Sequence, residues 1–204
     1  MIDPSALRLI AITDNVRDGE EGLLHRASDA VRGGATCVQL RLKNVAARDL
    51  VRLAQELAHA LDVPVIVNDR ADVAIAAGAA GVHLGPDDVP AEAVRKIAPP
   101  GFIIGVSVGA EAETGNAAAA DYVGIGPFFP TPSKNDAGAA IGARRFAELA
   151  RLVGLPAVAV GGITADNAKE AIQAGAAGVA AIGAIFGASN PYEAARLVRS
   201  AIET

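Results

Sequence analysis

Three polar side chains in the segment QLRLK (39–43) have the types and the spacing of an anion-binding site. Gln39, Arg41 and Lys43 alternate with leucines, so in an extended strand all three side chains lie on one face. Cations that point into a packed sheet are costly without partners, and an anionic ligand would supply them. The alternative is an exposed strand end whose charges simply reach water.

Two carboxylates follow neighbouring apolar runs further along the chain. Asn68 and Asp69 come directly after PVIV (64–67), and Asp88 follows GVHLG (81–85). Mg²⁺ usually takes one or two carboxylates, several waters and phosphate oxygens. We therefore predict that Asp69 and Asp88 hold a magnesium ion that carries a phosphate group. A helix-capping role is the alternative for each aspartate.

Hydroxyl and glycine residues end three later apolar runs. Ser107 ends FIIGVS (102–107), Gly162 ends PAVAVGG (156–162), and Gly183 ends GVAAIG (178–183). Glycine permits close approach of the backbone to a phosphate, which nearby helix N-termini also favour. We predict a second anion pocket at Gly162 and Gly183, with tight packing as the alternative.

The segment GPFFPTPSK (126–134) combines three prolines with Thr131, Ser133 and Lys134. Prolines fix the path of a connector, but they do not explain a lysine at its end. We predict that the segment leaves its strand beside the second pocket and carries Lys134 across to the first. A reaction between two phosphorylated substrates would suit this layout.

The elements that would position these residues alternate along the chain. The strand candidates, rich in valine and isoleucine, are 7–13, 36–41, 64–68, 81–85, 102–107, 121–126, 156–162 and 178–183. The helix candidates lie near 22–33, 46–61, 70–77, 90–97, 110–119, 140–153, 165–174 and 191–202. This alternation predicts an α/β fold, a single (β/α)₈ TIM barrel over residues 1–204, with an open doubly wound sheet as the alternative. Active sites of such barrels lie at the carboxyl ends of the strands, where the polar residues above fall.

The composition limits the classes of function. Hydrophobic residues make up 51% and aromatic residues 3%, which suits an aliphatic core of parallel strands covered by helices. A net charge of −5 without a dense basic run argues against nucleic-acid binding. The apolar runs are too short or too interrupted by glycine for a membrane span, and no signal peptide is evident, so we expect a soluble, cytoplasmic protein. The sequence leaves the oligomeric state open, a homo-oligomer included.

The motifs together resemble a known family. AITD, QLRLK, ND, GVHLGPDD, GVS, ADYVGIGPFFPTPSK, AVGGIT and GVAAIGAI resemble, in this order, the motifs of thiamine-phosphate synthase over nearly the whole chain. The resemblance implies a TIM-barrel transferase of thiamine biosynthesis. Such an enzyme joins hydroxymethylpyrimidine pyrophosphate to a thiazole phosphate, giving thiamine phosphate and pyrophosphate. Pyrophosphate leaves with the help of Mg²⁺, and the thiazole nitrogen captures the pyrimidine-methyl cation.

The resemblance also implies roles for particular residues. Those that would contact the pyrimidine pyrophosphate are Gln39, Arg41, Lys43 and Asn68, with Ser107 near the pyrimidine and the leaving group. Those that would bind Mg²⁺ are Asp69 and Asp88. Thr131 and Ser133 would hold the thiazole partner, and Lys134 would contact the pyrophosphate. The thiazole phosphate would be bound by Gly162, Ile182 and Gly183. Catalysis would then come from Arg41, Lys43, Lys134 and Ser107 acting on the developing charge.

The chain departs from the family pattern at four positions. Leu42 replaces a frequent glutamate, Gly109 a frequent histidine, Gly183 a usual serine and Ser133 a usual threonine. The loss of the serine at Gly183 removes one hydroxyl donor to the thiazole phosphate, although backbone N–H groups remain. Two alternatives stay open: a related thiazole tautomerase, which isomerises the thiazole phosphate, and a non-catalytic ligand-binding paralogue.

Overall fold

A computed structural model describes residues 3–13, 19–131 and 138–203. The strands are short runs of mainly aliphatic residues: β1 (Leu9–Ile12), β2 (Cys37–Leu40), β3 (Val65–Asn68), β4 (Gly81–Leu84), β5 (Ile103–Val108), β6 (Tyr122–Ile125), β7 (Ala157–Val160) and β8 (Gly178–Ala181). The α-helices between and after them are α1 (Gly19–Arg32), α2 (Ala47–Ala60), α3 (Ala71–Ala77), α4 (Ala91–Ile97), α5 (Gly142–Val153), α6 (Ala168–Gln173), α7 (Gly183–Phe186) and α8 (Pro191–Glu203). Two 3₁₀ helices span Pro4–Leu7 and Glu111–Ala119.

The strands form one closed parallel barrel in sequence order. Strand β1 pairs with β2 on one side and with β8 on the other, so that Ile10 lies opposite both Cys37 and Ala180. This closure confirms the predicted (β/α)₈ barrel and excludes the open sheet.

Two apolar layers stabilise the barrel. The outer layer lies between strands and helices, and amphipathic helices such as α2 contribute to it through Leu50, Leu53 and Leu57, which are spaced three and four residues apart. Burying each such leucine contributes about 1.5–3 kcal/mol. The inner layer fills the barrel with side chains such as Ile66 and Tyr122. The packed interior leaves the carboxyl end of the strands as the place for a site.

Several strands end one or two residues earlier than the sequence pattern predicts, β2 and β8 among them. Strand β2 ends at Leu40 because the Thr13 hydroxyl, beyond β1, accepts from the N–H of Arg41 at 2.8 Å and donates to its carbonyl at 3.0 Å. Strand β8 ends at Ala181, since the chain then turns into α7 and buries Ile185 and Phe186. Arg41, Lys43 and Gly183 therefore belong to loops or helix starts rather than to strands.

Among the described helices, none has both the length and the apolar character needed to cross a membrane.

Candidate active site

A cleft of about 690 Å³ lies at the carboxyl ends of the strands. The segments that follow β2 to β8 contribute to it, from the β2 end to the start of α7. Its lining includes the following residues singled out in the sequence: Arg41, Lys43, Asn68, Asp69, Asp88, Ser107, Thr131, Gly162, Ile182 and Gly183. The barrel thus brings together side chains that are up to 142 positions apart in the chain, from Arg41 to Gly183.

The three polar residues of QLRLK lie at different depths. Gln39 is 4% exposed and donates from Nε2 to Oδ1 of Asn68 at 2.7 Å. It lines a small space of about 30 Å³ beneath the cleft, which Arg41 and Asn68 also reach. Arg41 is half-buried and Lys43 is exposed, and both line the cleft itself. The buried amide of Gln39 therefore pairs with the half-buried Asn68, while Arg41 and Lys43 present two cations to the cleft.

The two predicted metal ligands lie on the same cleft wall. Asp69 follows β3 in a left-handed conformation, with φ 66°, and its N–H donates to the carbonyl of His83 on the neighbouring strand at 2.8 Å. Asp88 accepts from the N–H of Gly85 through Oδ2 at 2.6 Å, which fixes the turn after β4. The N-cap positions of α3 and α4 are held by Arg70 and Pro90, so neither aspartate occupies a helix N-cap.

Negative charge predominates on the described part of the cleft wall. The acidic residues of the lining are Asp69, Asp87, Asp88 and Glu113, and the basic ones are Arg41 and Lys43. Within the described ranges, no group of three or more histidine, cysteine or acidic side chains could hold a metal ion. A site of two carboxylates completed by substrate oxygens and water is the arrangement that suits Mg²⁺, so the donor set fits that ion.

A hydrogen-bonded chain of three side chains lies below the cleft, and sequence reasoning left its middle member without a role. His83 of β4 contacts the Tyr122 hydroxyl through Nδ1 and the Ser107 hydroxyl through Nε2, both at 3.0 Å. Ser107 and His83 line the cleft, whereas Tyr122 is 1% exposed. The alternation in GVHLG could have indicated His83, because it places that side chain inside the barrel.

Packing accounts for the glycines after β7. Gly161 and Gly162 have φ of 95° and 66°, and a Cβ on Gly162 would lie 2.6 Å from the carbonyl oxygen of Pro130. The N–H groups of Phe128 and Phe129 donate to the carbonyls of Val160 and Gly161, at 2.8 and 3.0 Å, and so hold this loop against the strand end. The packing alternative thus explains these glycines, which nevertheless line the cleft.

Gly183 opens the four-residue helix α7, and Ile182 precedes it. The first N–H groups of a helix have no partner inside it, which holds for those of Gly183 and Ala184, two residues of the cleft lining. Thr131 is half-buried on the same side. Ser133 and Lys134 lie outside the described residues.

Comparisons with known proteins agree with one another. A family model described as "Thiamine monophosphate synthase" matches residues 9–185. The chain is 50% identical to the thiamine-phosphate synthase of Roseiflexus sp. (strain RS-1), over 94% of this chain and 83% of that protein. It is 44% identical to the enzyme of the same name from Azorhizobium caulinodans, over 100% and 99%.

Solved structures give the same relationship. The thiamine phosphate pyrophosphorylase from Pyrococcus furiosus superposes with a TM-score of 0.86 at 36% identity, covering 98% of this chain and 97% of that one. A 3-hexulose-6-phosphate synthase superposes at 0.73 with 20% identity, covering 96% and 99%, and this second likeness concerns the fold alone.

Proposed function

The chain belongs to the thiamine monophosphate synthase family, and we propose that its cleft joins hydroxymethylpyrimidine pyrophosphate to a thiazole phosphate. The activity is that of a thiamine-phosphate synthase, a transferase of thiamine biosynthesis. Its products are thiamine phosphate and pyrophosphate. Relatives of this name at 44–50% identity favour the synthase over a tautomerase or a non-catalytic paralogue.

One observation carries the proposal on the structural side. Two cations and two neighbouring carboxylates line one cleft, Arg41 and Lys43 beside Asp69 and Asp88. A pyrophosphate that binds both a divalent ion and basic side chains needs this combination. A tautomerase has no leaving group of this kind and no need for it.

The pyrimidine pyrophosphate would occupy the part of the cleft near β2–β4. Asp69 and Asp88 would hold Mg²⁺, which when bound neutralises charge on the pyrophosphate oxygens. Arg41 and Lys43 would bind the same oxygens by charge-assisted hydrogen bonds. Gln39 donates to Oδ1 of Asn68 and so fixes the orientation of that amide. Both side chains would then contact the pyrimidine pyrophosphate.

The thiazole phosphate would occupy the opposite part. Backbone N–H groups near Gly162 and Gly183 would bind its phosphate, and Thr131 would contact the ring, with Ser133 assigned beside it by the family resemblance. This placement directs the thiazole nitrogen toward the pyrimidine methylene carbon. The reacting carbon and nitrogen atoms would then lie between the two anion subsites.

The reaction needs no protein nucleophile. The bond between the pyrimidine methylene carbon and the pyrophosphate oxygen breaks, and the electron pair leaves with pyrophosphate. The thiazole nitrogen then donates its lone pair to the methylene carbon. Arg41, Lys43 and, by the resemblance, Lys134 stabilise the charge that develops on the leaving group, while Ser107 contacts the pyrimidine side.

A product assay tests the proposal. The purified chain is incubated with both substrates and Mg²⁺, and the mixture is resolved by liquid chromatography with mass detection. We expect thiamine phosphate only when both substrates are present. Isomerisation of the thiazole phosphate, or ligand binding without product, would overturn the proposal in favour of one of its two alternatives.

A further inference from the structure

The chain Tyr122–His83–Ser107 connects the middle of the barrel to the cleft. Tyr122 is buried within the barrel interior, and its hydroxyl lies 3.0 Å from Nδ1 of His83. Nε2 of the same ring lies 3.0 Å from Oγ of Ser107, which lines the cleft. Because both ring nitrogens have a partner, the protonation pattern of His83 decides which way the Ser107 proton points.

Two glycines make room for this chain. A Cβ on Gly105 would lie 2.3 Å from Cζ of Tyr122 and 2.5 Å from its hydroxyl oxygen. A Cβ on Gly124 would lie 3.0 Å from Cε1 of His83. Strands β5 and β6 therefore lack side chains at the two positions where the rings of Tyr122 and His83 lie. The two rings are held in place by packing as well as by hydrogen bonds.

The environment of Tyr122 fixes the direction of the first hydrogen bond. Burial raises the pKa of its phenol well above the usual value, so the hydroxyl keeps its proton. In the part of the chain that the structure describes, Nδ1 of His83 is the hydrogen-bond partner recorded for this hydroxyl. A buried O–H that only accepted would leave its own proton unsatisfied, which is unfavourable. The phenol therefore donates to Nδ1.

We propose that Tyr122 is a positioning residue that holds His83 in the neutral tautomer with its proton on Nε2. That N–H donates to Oγ of Ser107, and the Ser107 hydroxyl then directs its own proton into the cleft. Ser107 thus donates a hydrogen bond to the bound pyrimidine substrate, and Tyr122 keeps it in that role by acting through His83. This inference rests on the proposed function for the substrate, but the tautomer itself is a property of the free protein.

Nitrogen NMR of the free protein tests the tautomer without any substrate. The chain contains three histidines, and His25 and His59 are exposed. Variants that replace each of these two by glutamine assign the His83 signals in a sample labelled with ¹⁵N-histidine. At about two pH units above the usual imidazole pKa of about 6.5, we expect an unprotonated Nδ1 and a protonated Nε2 in His83. In Tyr122→Phe, which keeps the ring but removes the hydroxyl, both tautomers should be populated.

Kinetics test whether the tyrosine acts through the serine. Tyr122→Phe should lower kcat roughly tenfold, the effect of one well-placed hydrogen bond, with the KM of the thiazole phosphate unchanged. In the Ser107→Ala background the same substitution should have no further effect, because the proton that it directs is absent. Tyr192→Phe, at the other and more exposed tyrosine of the chain, is the matched control and should retain wild-type kcat.

Three results would overturn the proposal while leaving the synthase activity intact. They are a protonated Nδ1 in the wild-type protein, an unchanged tautomer in Tyr122→Phe, and independent effects of the two substitutions in an active enzyme. A wild-type protein that makes no thiamine phosphate would instead contradict the proposed function, and the NMR result would stand separately.

Discussion

Single residues in this cleft position charge and hydrogen-bond donors, and the proposed reaction needs no protein nucleophile. Cys37 is the one cysteine of the chain, and burial inside the barrel raises the pKa of its thiol to about 12. The thiolate is therefore scarce at neutral pH. Under the proposed function, Arg41 and Lys43 would instead face the place where the leaving group gathers charge, which is where preorganised charge has its largest effect.

Arg41→Met should reduce kcat about 100-fold, the effect of removing one preorganised charge from a developing anion. The fold should survive, because the bonds between Arg41 and Thr13 involve the main chain of Arg41 and the methionine retains the alkyl stem. Steady-state kinetics measures kcat, and circular dichroism checks the fold. Arg48→Met, at an exposed arginine outside the cleft lining, is the matched control, and an equal loss there would contradict the assignment.

Asp88→Asn should raise the Mg²⁺ concentration needed for half-maximal activity by roughly tenfold, since one ligand charge is lost. The asparagine side-chain oxygen can still accept from Gly85, so the turn should be kept. The measurement is a magnesium titration of initial rates after chelator treatment. Asp87→Asn, at the neighbouring aspartate of the cleft lining, is the control variant. The same magnesium dependence in wild type and Asp88→Asn would remove Asp88 from the metal site.

The packing of strands against one another and against loops determines how closely the site residues can approach one another. The Tyr122 ring fills space that Gly105 leaves open on the neighbouring strand, and the 127–130 loop lies against Gly161 and Gly162. These contacts join β5, β6 and β7 on the side of the cleft opposite Arg41. Small residues at the contacts are therefore required by packing between elements.

Gly105→Ala should destabilise the protein by about 1–3 kcal/mol, because the added methyl group would overlap the Tyr122 ring at 2.3 Å. Gly115→Ala is the control, since a Cβ there meets nothing within 4 Å. Urea unfolding followed by circular dichroism gives both free energies of unfolding. Equal midpoints for the two variants would show that the ring and the strand do not pack as described.

The sequence predicts the order of elements well and their ends less well. Alternating Val/Ile runs and amphipathic segments were enough for the barrel, because both patterns are local. The end of β2 depends on the Thr13 hydroxyl, and the end of β8 depends on the burial of Ile185 and Phe186, which are contacts across the fold. The sequence leaves the role of His83 open for the same reason, since its partners Ser107 and Tyr122 come from two other strands.

The molecule as a whole carries a net charge of −5, and acidic residues predominate on the described cleft wall. An anionic substrate therefore approaches an unfavourable field unless a divalent cation accompanies it. Under the proposed function, the pyrophosphate substrate would therefore bind together with Mg²⁺ rather than before it.

Stability should fall at alkaline pH because burial raises the pKa of the Cys37 thiol from 9.0 to about 12. The unfolded chain loses this proton first, so the contribution is fully present below pH 9.0 and is lost as the pH rises toward about 12. The free energy of unfolding should decrease by up to about 1.4 kcal/mol per pH unit from this group, and further above pH 10 from Tyr122. Urea titrations at several pH values measure the slope. Cys37→Ala should have a shallower slope, and an unchanged slope would contradict the assignment to this thiol.

The most direct test of the central claim is to quantify both products in one reaction. The chain is supplied with hydroxymethylpyrimidine pyrophosphate, thiazole phosphate and Mg²⁺, and pyrophosphate and thiamine phosphate are measured over time. The account predicts that the two appear in equal amounts and that removal of either substrate stops thiamine phosphate formation. Pyrophosphate release without thiamine phosphate, or the absence of both products, would contradict it.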